Sequence, residues 1–151
     1  HHGFTHVFFL NGHGGNIATV NAAFAEVLGE RSLRREAAGE LQLQLFNWFA
    51  GRRGRELAES LYGDAEGSHA TASEVSLAWH AAPATLRDVA MSPRRAPAGS
   101  AQCDAHTFRR RFPDGRMGSD PSLASAEHGA RFLEAGVEDA WEAYRAFVEG
   151  A

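Results

Sequence analysis

The chain has no lysine: all 15 of its basic residues are arginines. That removes Schiff-base lysine chemistry and the lysine of a Walker-type phosphate loop from consideration. There is one cysteine, Cys103, so no internal disulfide can form, and a reducing cytoplasm is the expected location. Cys103 sits in a polar, loop-like stretch and reads as an incidental thiol, not a nucleophile. No apolar run approaches the roughly 20 residues that a membrane-spanning helix needs. No basic segment leads into an apolar one as in a signal peptide. A basic surplus is missing too: the net charge is −4 and the pI about 6.1, which argues against nucleic acid as a partner. No G-x-S-x-G elbow occurs, so a serine hydrolase is not indicated.

What is present is an ordinary globular composition, 44% apolar over 151 residues, enough for one domain with a real core. Residues 4–10 are a β-branched and aromatic run that stops at Asn11-Gly12, as a buried strand of a parallel sheet would. Residues 16–28 carry Ile17, Val20, Phe24, Val27 and Leu28 at helical spacing, with Asn16 as N-cap and Gly29 as the stop. Residues 31–39 form a charged connector. Residues 41–46 alternate Leu and Gln, a period-two strand signal. Helices are predicted over 52–61 and 70–80, a long irregular segment over 81–99 and a short strand over 107–112. Turns follow at 113–115 and 118–121. A long helix is predicted over 122–148, with Leu123, Phe132, Leu133, Val137, Trp141, Tyr144 and Phe147 on its inner side and Gly129 and Gly136 as weak points. Strands alternating with helices imply an α/β layer structure with a largely parallel sheet. Two or three strands are few for such a sheet.

Three stretches carry candidate chemistry. Asn11-Gly12-His13-Gly14-Gly15-Asn16 lies at the carboxyl end of the first strand, where open α/β sheets gather their ligands. His13 reads either as a metal ligand or as a hydrogen-bonded turn residue. A dinucleotide loop would need a third glycine where Ile17 stands. In the second stretch, residues 66–76, His69 precedes Glu74 by five positions, about 140° of helical rotation, so the two converge only if His69 lies at or before the first turn. The pair supplies groups for metal binding or acid–base work, or else belongs to a polar surface helix. The third stretch, residues 113–121, reads as two turns leading into a helix behind Asp120-Pro121. Cys103 and His106 form a C-x-x-H pair without the partners of a zinc site.

In order, the three stretches resemble the creatininase (creatinine amidohydrolase) family. Residues 11–16 look like its N-G-H-G-G-N signature. Residues 69–76 look like its H-A-G-E-x-E-T-S stretch, with His69, Glu74 and Ser76 in place. Residues 114–121, with Ala124 and Glu127-His128-Gly129, are similar to its C-terminal G-x-x-G-D-P segment. The resemblance implies a three-layer α/β/α fold and a dinuclear divalent-metal site (zinc, with manganese or iron as alternatives) that hydrolyses cyclic or linear amide bonds in small molecules or peptides. It implies His13 and Glu74 as metal ligands and His69 as the catalytic histidine. Asn11, Asn16 and Trp48 are the implied substrate-side residues, and a homo-oligomer is the implied assembly. Gly15 stands where creatinine hydrolases proper have a glutamate, and Ser68, Ala72 and Val75 also depart from the pattern, which places the chain in the wider N-G-H-G-G-N group. The family's E-x-H-G metal motif and a bridging aspartate have no counterpart here. His2-Gly3-Phe4 matches a His-Gly-Phe that the family carries just before this strand. These features point to the C-terminal part of a longer creatininase-like protein, one incomplete domain over 1–151, inactive as a fragment. A non-catalytic remnant or assembly subunit of the same fold is the alternative, and nucleotide binding at the glycine loop is a third.

Overall fold

A computed structural model describes residues 3–34, 39–87, 89–99 and 102–150. His1, His2 and part of the expected connector lie outside the described residues. The chain divides into two compact units, residues 1–52 with 136–151, and residues 53–135.

The first unit starts with β1 (His6–Asn11), continues into α1 (Ile17–Leu33) and returns in β2 (Gln42–Asn47). The strands pair in parallel from His6 opposite Gln42 to Asn11 opposite Asn47. This is the βαβ crossover that two parallel neighbours require. Alternation along β1 sends its aromatic residues to opposite faces. Phe8 meets Phe46, Tyr144 and Phe147, with ring centroids 6.1, 5.6 and 6.1 Å apart. Phe9 meets Phe24 of α1 at 5.2 Å. The sheet of this unit therefore has α1 on one face and the C-terminal half of α5 (Ala126–Glu149) on the other, the α/β layering expected.

Two expectations fail in this unit. Gly29 does not end α1, which runs on to Leu33. A single glycine costs about 1 kcal/mol relative to alanine, and the last turn has compensating bonds. Ser32 Oγ–H donates to the Leu28 carbonyl at 2.8 Å, and the Arg31 guanidinium donates to the Gly39 carbonyl. On α5, Phe147 is half-buried, but Val137 and Trp141 are 59% and 57% exposed, and Leu133 and Tyr144 are exposed as well. At about 100° per residue, Val137 and Trp141 lie roughly a quarter-turn or more round the axis from Phe147. Two strands about 4.8 Å apart make too narrow a floor to cover so wide a stripe.

The second unit holds most of α2 (Arg52–Tyr62), then α3 (Ala72–Ala81), α4 (Ala105–Arg111) and the start of α5. Its core includes Tyr62, Ala72, Phe112, Met117 and Phe132, the last 1% exposed. Tyr62 stacks on Phe132 at 5.9 Å. Its hydroxyl lies 2.9 Å from Ser76 Oγ and 2.8 Å from His128 Nδ1. Ser76 Oγ spends its one proton on the Ala72 carbonyl, 2.7 Å away, and accepts from the Ser125 N–H at 3.2 Å. Proton counting then makes Tyr62 the donor to Ser76 and His128 Nδ1–H the donor to Tyr62. Burial pushes the Tyr62 hydroxyl above its ordinary pKa. Gly129 does not break α5. It sits where a side chain would overlap the Ser76 carbonyl, so glycine allows α5 to lie against α3.

Of residues 107–112, expected as a strand, 107–111 belong to α4 instead, and Phe112 is its C-cap. The deciding residue is Asp104, whose carboxylate accepts from the His106 and Thr107 N–H groups at 2.9 and 3.0 Å and caps the helix. The expected helix start at Asp120-Pro121 is a single 3₁₀ turn over Pro121–Leu123, capped by Asp120. The α5 helix begins later because Ser125 Oγ accepts from the His128 N–H at 3.0 Å. In the irregular segment, residues 95–97 are tied down by residues 118 and 119. The Ala96 N–H donates to the Ser119 carbonyl at 2.9 Å, the Gly118 N–H to the Pro97 carbonyl at 3.0 Å, and Arg95 Nε to the Gly118 carbonyl at 3.1 Å. No helix among the described residues is long and apolar enough to cross a membrane.

Candidate functional site

In the first unit, both strands end at the same level, on Asn11 and Asn47. Asn11 is 6% exposed and uses its whole amide. Its Nδ2 donates to the His13 carbonyl and to Asn47 Oδ1, both at 2.7 Å. Its Oδ1 accepts from the His13 N–H at 3.2 Å and from Asn16 Nδ2 at 3.1 Å. Asn16 therefore turns its amide toward Asn11, and it makes no side-chain cap on α1. Trp48 Nε1–H closes the other side on the Gly12 carbonyl at 3.3 Å. The loop over 11–16 is a rigid hairpin of backbone built on one buried amide. It leaves the His13 imidazole exposed above Gly15, where an added Cβ would stand 2.8 Å from Nε2. A cavity of about 330 Å³ opens beside it, lined by Leu10, Asn11, Gly12, Asn16 and Thr19 among others. Asn11→Ala should cost about 2–3 kcal/mol, because it strands Asn47 and the loop's backbone groups. Urea denaturation checks this, and an unshifted midpoint would refute the hub role.

In the second unit, His69 lies before α3, whose N-cap is Thr71, so the five-residue separation from Glu74 is not a helical one. Its backbone is clamped to residues 117–119. The Ser68 N–H donates to the Met117 carbonyl at 2.9 Å. The His69 carbonyl accepts from the Met117 N–H at 3.3 Å and from Ser119 Oγ at 2.6 Å. Ala70 follows at φ +50°, a left-handed conformation that costs an alanine about 1 kcal/mol and that the clamp enforces. The His69 ring packs 5.9 Å from Phe108, and its Nδ1 is buried with no hydrogen-bond partner among the described residues. A buried ring nitrogen without a partner carries a desolvation cost, and His6 Nε2 of the first unit is in the same state. Glu74 closes a capping box: its Oε2 accepts from the Thr71 N–H and Oγ1–H at 3.4 and 3.3 Å, while its own N–H donates to Thr71 Oγ1. Glu66 adds a second cap, accepting from the Ser73 hydroxyl and N–H.

Sequence reading missed Asn47, Glu66 and the Tyr62–Ser76–His128 chain. Only the S/T-x-x-E spacing of Thr71 and Glu74 was available as a signal for the cap. Among the described residues no three His, Cys, Asp or Glu side chains converge to hold a metal ion. The described residues do not by themselves make a metal site, although His13 offers an exposed imidazole.

The fold is that of a parallel α/β protein with a histidine-bearing loop at the carboxyl edge of the sheet. The chain belongs to the creatininase family: the family model described as creatinine amidohydrolase matches residues 1–144. Among solved structures it is similar to two tryptophan-substituted mutants of creatininase. One is 22% identical with a TM-score of 0.68, covering 95% of this chain and 56% of the other. The second is 23% identical with a TM-score of 0.71, covering 95% and 57%. A third, described as a Type II mutant creatininase, is 21% identical with a TM-score of 0.64, covering 91% and 55%. The chain thus spans a little over half the length of the creatininases it matches. No curated protein matches it at a significant level.

Proposed function

We propose that the protein is a metal-dependent amidohydrolase acting on a cyclic or linear amide C–N bond, and that this chain contributes part of its site. The family match across residues 1–144 carries the proposal, and the rigid loop that presents His13 supports it. The cofactor in this reading is a divalent metal, zinc with manganese or iron as alternatives and two ions per site. His13 and Glu74 are the ligands this chain offers in that reading. His69 handles the proton that the leaving nitrogen requires. Asn11, Asn16 and Trp48 border the substrate, Asn11 by holding the loop in shape. Small-molecule amides and peptides are the substrate classes, and the chain works as a homo-oligomer in the cytoplasm.

Metal analysis of the intact protein, paired with amide-hydrolysis assays, tests the assignment. His13→Ala should lose bound metal and activity together. His69→Ala should keep the metal and lose about a hundredfold in turnover, the worth of one general acid–base group. Unchanged metal content and activity in His13→Ala would end the proposal.

A second reading is an assembly subunit without catalysis of its own. It is favoured by the exposed Leu33, Val137, Trp141 and Val148. Metal-replete chain that assembles yet shows no hydrolysis of any amide would select it.

A further inference from the structure

We propose that the second unit carries a separate ligand groove, built on one face of α4, that takes a small organic carboxylate with an apolar body. Ala105, Phe108, Arg109 and Phe112 recur at i, i+3, i+4 and i+7, so they share one side of the helix and its C-terminal end. Together with Cys103, Pro113 and Gly115 they line a groove of about 570 Å³. Small-molecule sites fall in roughly the 300–1,000 Å³ range and are apolar with few polar groups. This groove has that character. The tilted pair Phe108 and Phe112, centroids 5.2 Å apart, lies along it, and its one charged lining residue is Arg109.

Among the described residues no carboxylate lines the groove. The two nearest carboxylates in sequence are committed elsewhere. Asp104 is spent on the α4 cap, where the Thr107 hydroxyl and the backbone N–H groups hold it below the usual carboxylate pKa. Asp114 is paired with Arg116 at 2.8 Å. A planar guanidinium beside an aromatic slot matches a flat apolar body that ends in a carboxylate, which arginine binds in bidentate fashion. A phosphate ion would leave the apolar lining unfilled, and a neutral alcohol would leave the guanidinium unmatched. Phe108 also packs against the His69 ring, so an occupant of the groove lies one side chain away from the proposed catalytic histidine. The groove stands on its own geometry and does not depend on the hydrolytic reading.

The probe is 3-phenylpropionate, with 3-phenylpropan-1-ol and inorganic phosphate as comparisons, titrated calorimetrically into the protein. Cys103 is the chain's single thiol and lines the groove, so its rate of reaction with a disulfide reagent reports occupancy without ambiguity. The acid should bind and slow that reaction. The alcohol and the phosphate should each bind about tenfold more weakly or worse, and Arg109→Ala should weaken the acid by about tenfold, the worth of one hydrogen bond to a charged group. Arg145→Ala, which alters an exposed arginine paired with Glu149 on α5, should leave binding intact. The two arginine variants locate the site even if the thiol reacts too slowly to follow. Equal binding of acid and alcohol, phosphate as tight as the acid, binding without protection of a reactive Cys103, equal effects of the two arginine variants, or no binding at millimolar acid would each overturn the proposal.

Discussion

Gly67→Ala should destabilise the second unit by about 3–5 kcal/mol, combining left-handed strain with steric overlap. Gly67 adopts φ +70°, and an added Cβ would stand 2.5 Å from the Gly118 carbonyl carbon and 2.6 Å from the Met117 oxygen, and would overlap the Ser119 nitrogen. All three neighbours are backbone, and they belong to the strip that clamps His69 through the Met117 and Ser119 bonds. The strip cannot retreat, because its other side is bonded to residues 96 and 97. Gly115→Ala is the control. Gly115 has φ +80° but nothing within 4 Å of the added Cβ, so it should show the conformational term alone, about 1 kcal/mol. Chemical denaturation of both variants separates the two terms. Equal small losses would mean that the backbone at 117–119 yields, and that His69 is not held by close packing there.

The elements that local pattern determines were legible. The Leu–Gln alternation of residues 41–46 is β2 shifted by one residue, and the run over 4–10 is β1, which starts at His6 and ends at Asn11. The strand–loop–helix frame around His13 follows from a short apolar run, a glycine-rich break and a helical period, all contained within one window. What escaped was set by partners outside the window. Six residues at 107–112 fit a strand as well as a helix, and the capping carboxylate of Asp104 decides the matter three residues upstream. The pairing of Asn11 with Asn47 needs the parallel register of two strands separated by a whole crossover. The Tyr62–Ser76–His128 chain joins three helices. The apolar stripe of α5 was visible, but its burial was not, because burial depends on the width of the sheet beneath it. The site was legible to the same extent: residue types and their loops could be read, but the commitment of Glu74 to Thr71 and the orphaned Nδ1 of His69 could not.

Arg116→Met should cost about 2–4 kcal/mol, the consequence of stranding two backbone carbonyls that a buried guanidinium now satisfies. Arg116 is 5% exposed. Its Nε and Nη2 donate to Asp114 at 2.9 and 2.8 Å, Nη1 to the Arg94 carbonyl at 2.7 Å, and Nη2 also to the Pro93 carbonyl at 2.8 Å. One side chain thus joins the 113–115 turn to the segment at 93–94, which a turn signal in the sequence does not reveal. Methionine fills similar space and satisfies neither carbonyl. The pH dependence gives a second, independent readout. The hydrogen bonds from Arg116 hold the Asp114 carboxyl below its ordinary pKa. A depressed carboxylate stabilises the fold above its unfolded pKa, near 4, and that contribution fades as pH falls through the folded value. The wild-type protein should therefore lose stability below about pH 4 more steeply than Arg116→Met, whose Asp114 has no guanidinium to lose. Denaturation midpoints measured from pH 7 down to pH 3 for both proteins check this. Parallel curves would show that Asp114 does not draw its depressed pKa from Arg116. A midpoint at pH 7 unchanged by the substitution would show that the two carbonyls find other donors.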